Sequence, residues 1–192
     1  TSHKKTSFDE LSFLSHAFDH GAKHGWSNVT PQHIADKYKT GPVPMTLQTQ
    51  DDIFILLNDI VSNRVKSNID NDESLETKDR LFDVLMEYFD TLDEYKDGLK
   101  TFFENKQHAG MTSLKTAPHF RRMIEDMLLW SGVDIHSPLA EIKKAGFSLL
   151  YIKSFFVWLD DDSEDMGKTM AEIDKNLSLV EQAMNSLPFL RS

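Results

Sequence analysis

Residues 24–61, HGWSNVTPQHIADKYKTGPVPMTLQTQDDIFILLNDIV, hold the turn, cap and apolar spacings on which the reading of the whole chain rests. Gly25 can take the positive φ that ends a first helix, and Trp26 beside it is large enough to roof a small helical core. Thr30 and then Pro31 form an N-cap followed by a residue pre-set for the first helical position. Ile34 and Ala35 supply the inward face of a short second helix ending near Tyr38, and Gly41 makes a turn. Asp51 and Asp52 open a longer helix, where carboxylates face the positive end of its dipole. Its apolar positions, Ile53, Leu56, Leu57, Ile60, Val61 and Val65, recur at helical spacing. Between the turn and that helix, residues 42–48 read PVPMTLQ, with two prolines and no Lys or Arg.

Toward the N-terminus, Ser7 can cap a first helix carrying Phe8, Leu11, Leu14, Ala17 and Phe18 at helical spacing. His16, His20 and His24 share one face of it, the geometry two imidazoles need to hold a metal. No third ligand is fixed by spacing, so a solvated flank is the expectation, and no metal or other cofactor is predicted. Downstream, residues 68–74 are a polar break, and a helix over 75–95 presents Leu81, Leu85, Tyr88, Phe89 and Leu92. Gly98 reads as a hinge before Leu99, Phe102 and Phe103, and residues 106–115 as a loop. Thr116 and Pro118 then start a helix through Phe120, Met123, Ile124, Met127, Leu128 and Trp130 that Gly132 stops. Ser137 and Pro138 repeat the cap-plus-proline signal before Leu139, Ile142, Phe147, Leu150, Tyr151, Phe155 and Trp158. Asp162 or Ser163 opens a last helix with Met166, Met170, Ile173, Leu177, Val180 and Met184, before Pro188. Strand alternation is lacking throughout. The fold expected is all-α with about nine helices: a head over 1–50 and a helical body over 51–192.

The chain has 192 residues and no Cys, which excludes disulfides and thiolate metal sites. No apolar run approaches the roughly 18 residues of a membrane span, so a cytoplasmic protein without stable membrane insertion is expected. The net charge of −10 is uneven. In residues 1–68, Lys4, Lys5, Lys23, Lys37, Lys39, Arg64 and Lys66 balance Asp9, Glu10, Asp19, Asp36, Asp51, Asp52 and Asp59, so the remainder carries the whole excess. A neutral head lacks the positive field that supplies most non-specific DNA affinity. Phosphate-cradling loops, dinucleotide turns and nucleophile elbows are missing, and no catalytic role is expected. The acids at 160–165 do not form a calcium loop, since Asp165 stands where the sixth place needs Gly and Ala171 where the twelfth needs Glu. They read as a helix-cap cluster.

Ala22, Gly25, Trp26, Thr30, Ile34 and Ala35, with Asp51 to Leu57, resemble the helix-turn-helix signature and connecting helix of the tetracycline-repressor (TetR) family. That resemblance implies a TetR-like fold, a third head helix entering the DNA major groove, and a transcriptional regulator controlled by a small apolar ligand. Against the usual pattern, residues 42–48 are about two residues short and lack the common Tyr. A second resemblance covers roughly the last 70 residues. Met123 to Asp126, Trp130, Trp158, Asp161, Ser163, Asp165, Thr169 and Asp174 look like the C-terminal helices of the coenzyme-Q-biosynthesis accessory family. It implies the alternative function, a non-DNA-binding accessory protein of ubiquinone synthesis that binds isoprenoid lipids or quinones. That family's further amphipathic, membrane-contacting helix has no counterpart in residues up to Ser192.

These readings set the residue-level expectations. In DNA binding, Lys37 and Lys39 with Lys4 and Lys5 would grip phosphates, and His33, Thr40, Thr46 and Gln48 would lie near base edges. An apolar guest would be lined by Met86, Phe89, Phe102, Phe103, Met123, Met127, Trp130, Phe147, Tyr151 and Phe155, with Lys153, His119 and Arg122 the nearby cations. The last two helices, 138–158 and 163–185, would form a homodimer through Phe155, Trp158, Met170, Ile173 and Leu177.

Overall fold

The computed structural model describes residues 7–70, 72, 74–104 and 114–186. Lys4, Lys5, most of the expected loop at 106–115, and Pro188 lie outside them, as does the Met184 side chain. The described residues are helical and contain no strand: α1 (Glu10–His24), α2 (Pro31–Tyr38), α3 (Gln50–Asn68), α4 (Thr77–Leu92), a 3-10 turn (Asp93–Tyr95), α5 (Lys96–Glu104), α6 (Ala117–Trp130), α7 (Ala140–Leu159) and α8 (Gly167–Ser186). Among the described residues eight α-helices stand where about nine were expected of the chain, and residues 42–48, where a third head helix was expected, form none. No helix among these residues is long and apolar enough to cross a membrane.

The chain divides into two compact units, residues 1–60 with 92–119, and residues 61–91 with 120–192. The first therefore takes the expected head, the start of α3 and the α5 region. Its helix ends follow local chemistry. Asp9, not Ser7, caps α1, accepting from the Ser12 backbone N–H at 3.0 Å. Thr30 caps α2 through the His33 N–H at 3.2 Å, with Pro31 at the first position. Trp26 is buried among Phe18, Phe54 and Phe102, and its Nε1–H donates to the Gly98 carbonyl at 2.9 Å. The indole fits because position 21 lacks a side chain, since a Cβ there would stand 2.5 Å from the ring. Gly98 is likewise no hinge. It lies inside α5, where a Cβ would come within 2.6 Å of the Phe18 carbonyl oxygen.

The second unit packs the C-terminal part of α3 with α4, α6, α7 and α8 around Leu85, Phe89, Ile124, Met127, Trp158 and Ile173, all buried. The Ser137–Pro138 pair does not cap α7. Ser137 closes a turn by accepting from the Ala140 N–H, and the helix begins at Ala140. Nor does α8 start at Asp162 or Ser163. Buried Asp161 folds back to accept from Ser163 N–H at 3.1 Å and from Thr169 N–H and Oγ1 at 2.8 Å each. Burial alone would raise this carboxyl, but those hydrogen bonds hold it well below the usual carboxylate range. The acids of 160–165 thus include a cap, as their position suggested.

Candidate functional site

Residues 39–49 decide what the head can do. Lys39 ends α2 in the left-handed conformation, φ 58°, and Gly41 follows at φ 99°. Gly41 is pressed against the start of α1, where a Cβ would meet the Ser7 carbonyl oxygen at 2.7 Å. Each proline disfavours helical backbone in the residue before it and offers no N–H for a helical bond. The chain therefore turns at 44–47, with Leu47 N–H donating to the Pro44 carbonyl at 3.0 Å and Leu47 buried. Gln48 Nε2 donates to that same carbonyl at 2.9 Å.

Asp52 fastens the turn to α3. Its Oδ2 accepts from Gln48 N–H, Thr49 N–H and Thr49 Oγ1, each at 2.9 Å, and its Oδ1 pairs with Lys115 Nζ at 2.6 Å. Asp52 is 7 % exposed. Burial pushes its carboxyl up, but the Lys115 ammonium and the Gln48 and Thr49 hydrogen bonds outweigh it, leaving the group at about 2. Where a reading helix was expected, residues 41–49 form an anchored, non-helical turn.

The six residues expected at DNA fare accordingly. Thr40 is buried, and its hydroxyl has no hydrogen-bond partner. Gln48 is tied to Pro44, and Thr46 is exposed on the turn, outside any helix. His33, Lys37 and Lys39 lie on the exposed side of α2 and its C-cap. Lys37 reaches back to His20 Nδ1 at 3.3 Å. The histidine face of α1 does not converge on a metal. His16 stacks on Tyr38, centroids 4.3 Å apart, while the buried His20 bonds the Tyr38 hydroxyl at 3.0 Å. Among the described residues no three His, Asp or Glu side chains are placed to hold an ion.

In the second unit the expected guest lining divides. Phe89, Met123, Met127, Phe147, Tyr151 and Phe155 are buried. Phe89 stacks on Tyr151 and Trp158 at 5.6 and 5.5 Å, and Phe120 and Phe155 add further ring contacts to Tyr151. These side chains pack on one another, and burial pushes the Tyr151 phenol well above its ordinary value. Phe102 and Phe103 belong to the first unit, Phe102 packing on Trp26 and Phe54. Met86 and Trp130 do line a cleft, of about 500 Å³. Its apolar lining adds Ile69, Leu75, Val84 and Met166, and its charged lining is Arg80 with Asp70, Asp72, Asp83, Glu87 and Asp90. Partial burial and neighbouring Asp79 push the Asp83 carboxyl up. That volume is in the range of small-ligand sites, and the charged lining is predominantly acidic.

The expected dimer residues are mostly committed to their own subunit. Phe155, Trp158, Ile173 and Leu177 are buried, and Met170 is half-buried. The opposite face of α7 is the open one. Ile142, Leu149, Ile152 and Phe156 are 59, 71, 41 and 48 % exposed, and exposed Ala145 and Gly146 lie between them. A Cβ at Gly146 would meet nothing within 4 Å. Within this stripe Lys153 is paired with Glu172 at 2.6 Å and bonded to Asn176 at 3.1 Å. Leu149 lies one turn before Lys153 on α7, and exposed Val180, with Leu179 beside it, one turn after Asn176 on α8. The a/d-like spacing of 142, 149, 152 and 156 was readable in the sequence; which side of α7 faced outward was not.

The chain matches no protein-family model and none of the curated proteins.

Proposed function

We propose that this chain is a non-catalytic accessory protein that carries an apolar guest, of the isoprenoid-lipid or quinone class, on a helix-turn-helix scaffold that does not read DNA. The observation that carries the reading is the turn at 41–49. A major-groove reader needs a helix there, with polar side chains toward base edges and cations toward phosphates. This segment instead has two prolines, a buried Leu47 and an Asp52 anchor. The cleft lined by Met86, Trp130, Val84 and Leu75 is where the guest would sit, since Met adapts to apolar bodies of differing shape. Its acidic lining favours a neutral guest over a carboxylate or phosphate. The lipid class itself comes from the resemblance of the last 70 residues and rests on analogy.

The same reading includes a homodimer built on α7 and α8, through their outer faces. Ile142, Leu149, Ile152, Phe156, Leu179 and Val180 together expose roughly 600 Å², so facing two copies covers about 1,200 Å², the lower edge for a stable interface. The Lys153–Glu172 pair leaves no unpaired charge from Lys153 at the centre of that patch.

The competing reading, a dimeric regulator binding operator DNA, draws support from the α1–α2 pair with its Thr30 cap and exposed Lys37 and Lys39. Two measurements separate them. Titrating the full chain with random and genomic duplex at low salt should give no binding beyond a weak, salt-sensitive background. Titrating with isoprenoid quinones should raise the melting temperature and change Trp130 fluorescence, an effect absent in Trp130→Phe. Sequence-selective duplex binding, or a protein that no apolar guest stabilises, overturns the proposal.

A further inference from the structure

The α1–α2 corner gathers four histidines, one lysine and one tyrosine, and the geometry fixes how they share protons. His20 Nδ1 lies 3.0 Å from the Tyr38 hydroxyl and 3.3 Å from Lys37 Nζ. An ammonium can only donate, so Nδ1 must be a bare acceptor, and the hydrogen of neutral His20 must reside on Nε2. Taking up a proton at Nδ1 would turn this acceptor into a donor, which the Tyr38 hydroxyl oxygen can accept but the Lys37 ammonium cannot. It would also place two positive charges in near contact at a buried ring. The His24 and His33 rings lie 4.7 and 5.3 Å away, centroid to centroid.

We propose that this corner is a pH-sensitive latch, in which protonation of His20 expels the Lys37 side chain from the ring and loosens the C-terminal turn of α2 against α1. Among the described residues the charges bearing on His20 are Lys37, His24 and His33, all of one sign, and none is a carboxylate that could offset the added proton's charge. Of the other ionisable groups on these two helices, Asp19 is paired with Lys23 and Asp36 accepts from Gln32. The 3-10 turn and α5 pack on the other side of α1 through Tyr95 and Gly98. Their Asp93, Glu94, Lys96, Asp97 and Lys100 are not among the charges acting on His20. Burial and the Lys37 charge both hold His20 below its ordinary 6.5. What still holds α2 once Lys37 is expelled is its apolar side, Pro31, Ile34 and Ala35, the His16 stack on Tyr38, and the Asp9 N–H bond to the Thr40 carbonyl at 2.9 Å. The latch is independent of the guest proposed above.

The test is an NMR titration of the full chain from pH 8 to 5, following the imidazole signals and the Ile34 and Ala35 methyl groups. The expected result is a His20 midpoint below 6.5, with both methyl signals moving at that same midpoint. Lys37→Met, at an exposed position, should keep the fold and shift the His20 midpoint upward. His20→Asn, whose carbonyl can stand in for Nδ1 as acceptor, should abolish the methyl transition. A His20 midpoint at or above 6.5, a midpoint indifferent to Lys37→Met, or methyl shifts persisting in His20→Asn would each overturn the latch.

Discussion

Replacing Asp52 with Asn tests whether the 41–49 turn is held by a charge or merely by chain packing. The carboxylate is nearly fully buried and receives three hydrogen bonds and one ammonium contact. The fall from an ordinary value of 3.8 to about 2 corresponds to about 2 kcal/mol favouring the folded state at neutral pH. Lys115 is half exposed, so its share is the most screened part of that figure. Because the folded-state value lies below the unfolded one, the contribution is complete above about pH 4 and disappears as pH falls toward about 2. Asp52→Asn should therefore lower the melting temperature at pH 7 by roughly 4–8 °C for a chain of this size. The gap to the wild type should close progressively below pH 4. Differential scanning calorimetry of both proteins from pH 7 to 2.5 measures it, with a first-unit probe such as the Trp26 indole signal to separate the two units. If the gap is the same at pH 7 and pH 2.5, or absent at pH 7, the charge is not what holds the turn.

Gly21→Ala should cost about 1–3 kcal/mol in urea unfolding, because its Cβ would lie 2.5 Å from the Trp26 ring and the indole would have to leave its hydrogen bond to Gly98. Asp161→Ala should cost about 2 kcal/mol by the same measurement, since it strips the Thr169 N–H and hydroxyl of a buried acceptor and uncaps α8. Leu149→Glu, at a side chain 71 % exposed, should leave the melting temperature of dilute protein nearly unchanged. By light scattering at micromolar concentration it should convert a dimer to a monomer, whereas a wild type that is already monomeric refutes the outer-face interface.

The parts of the fold legible in the sequence were those set by neighbours along the chain. Thr30 with Pro31 marked the start of α2, and Gly25 the end of α1, because caps and left-handed turns act within a few residues. The expectation of a third head helix came from resemblance, while the local chemistry of Pro42 and Pro44 pointed the other way. The Asp52 anchor was invisible for a different reason: its ammonium partner Lys115 arrives from a distant part of the chain, and no spacing announces it. Gly98 failed similarly. A glycine read alone suggests freedom, but this one is needed for close approach to Phe18 and Trp26, which only the packed structure reveals.

The body was misread at the level of faces, not helices. Residues 145–159, AGFSLLYIKSFFVWL, carry a single charge, so apolar periodicity could not say which side of α7 turns inward. The aromatics Tyr151, Phe155 and Trp158 went inward because a ring buries more surface than an aliphatic chain and stacks with Phe89. That choice leaves Ile142, Leu149, Ile152 and Phe156 outside, around exposed Ala145 and Gly146 that would admit a second helix closely. A helix apolar on its inner side is accounted for by the core. Apolar residues on the outer side as well, with the intervening lysine paired, are what the proposed dimer would cover. The same rings that pack the interior therefore free the face on which assembly is proposed, while the proposed guest site is the cleft beside Trp130.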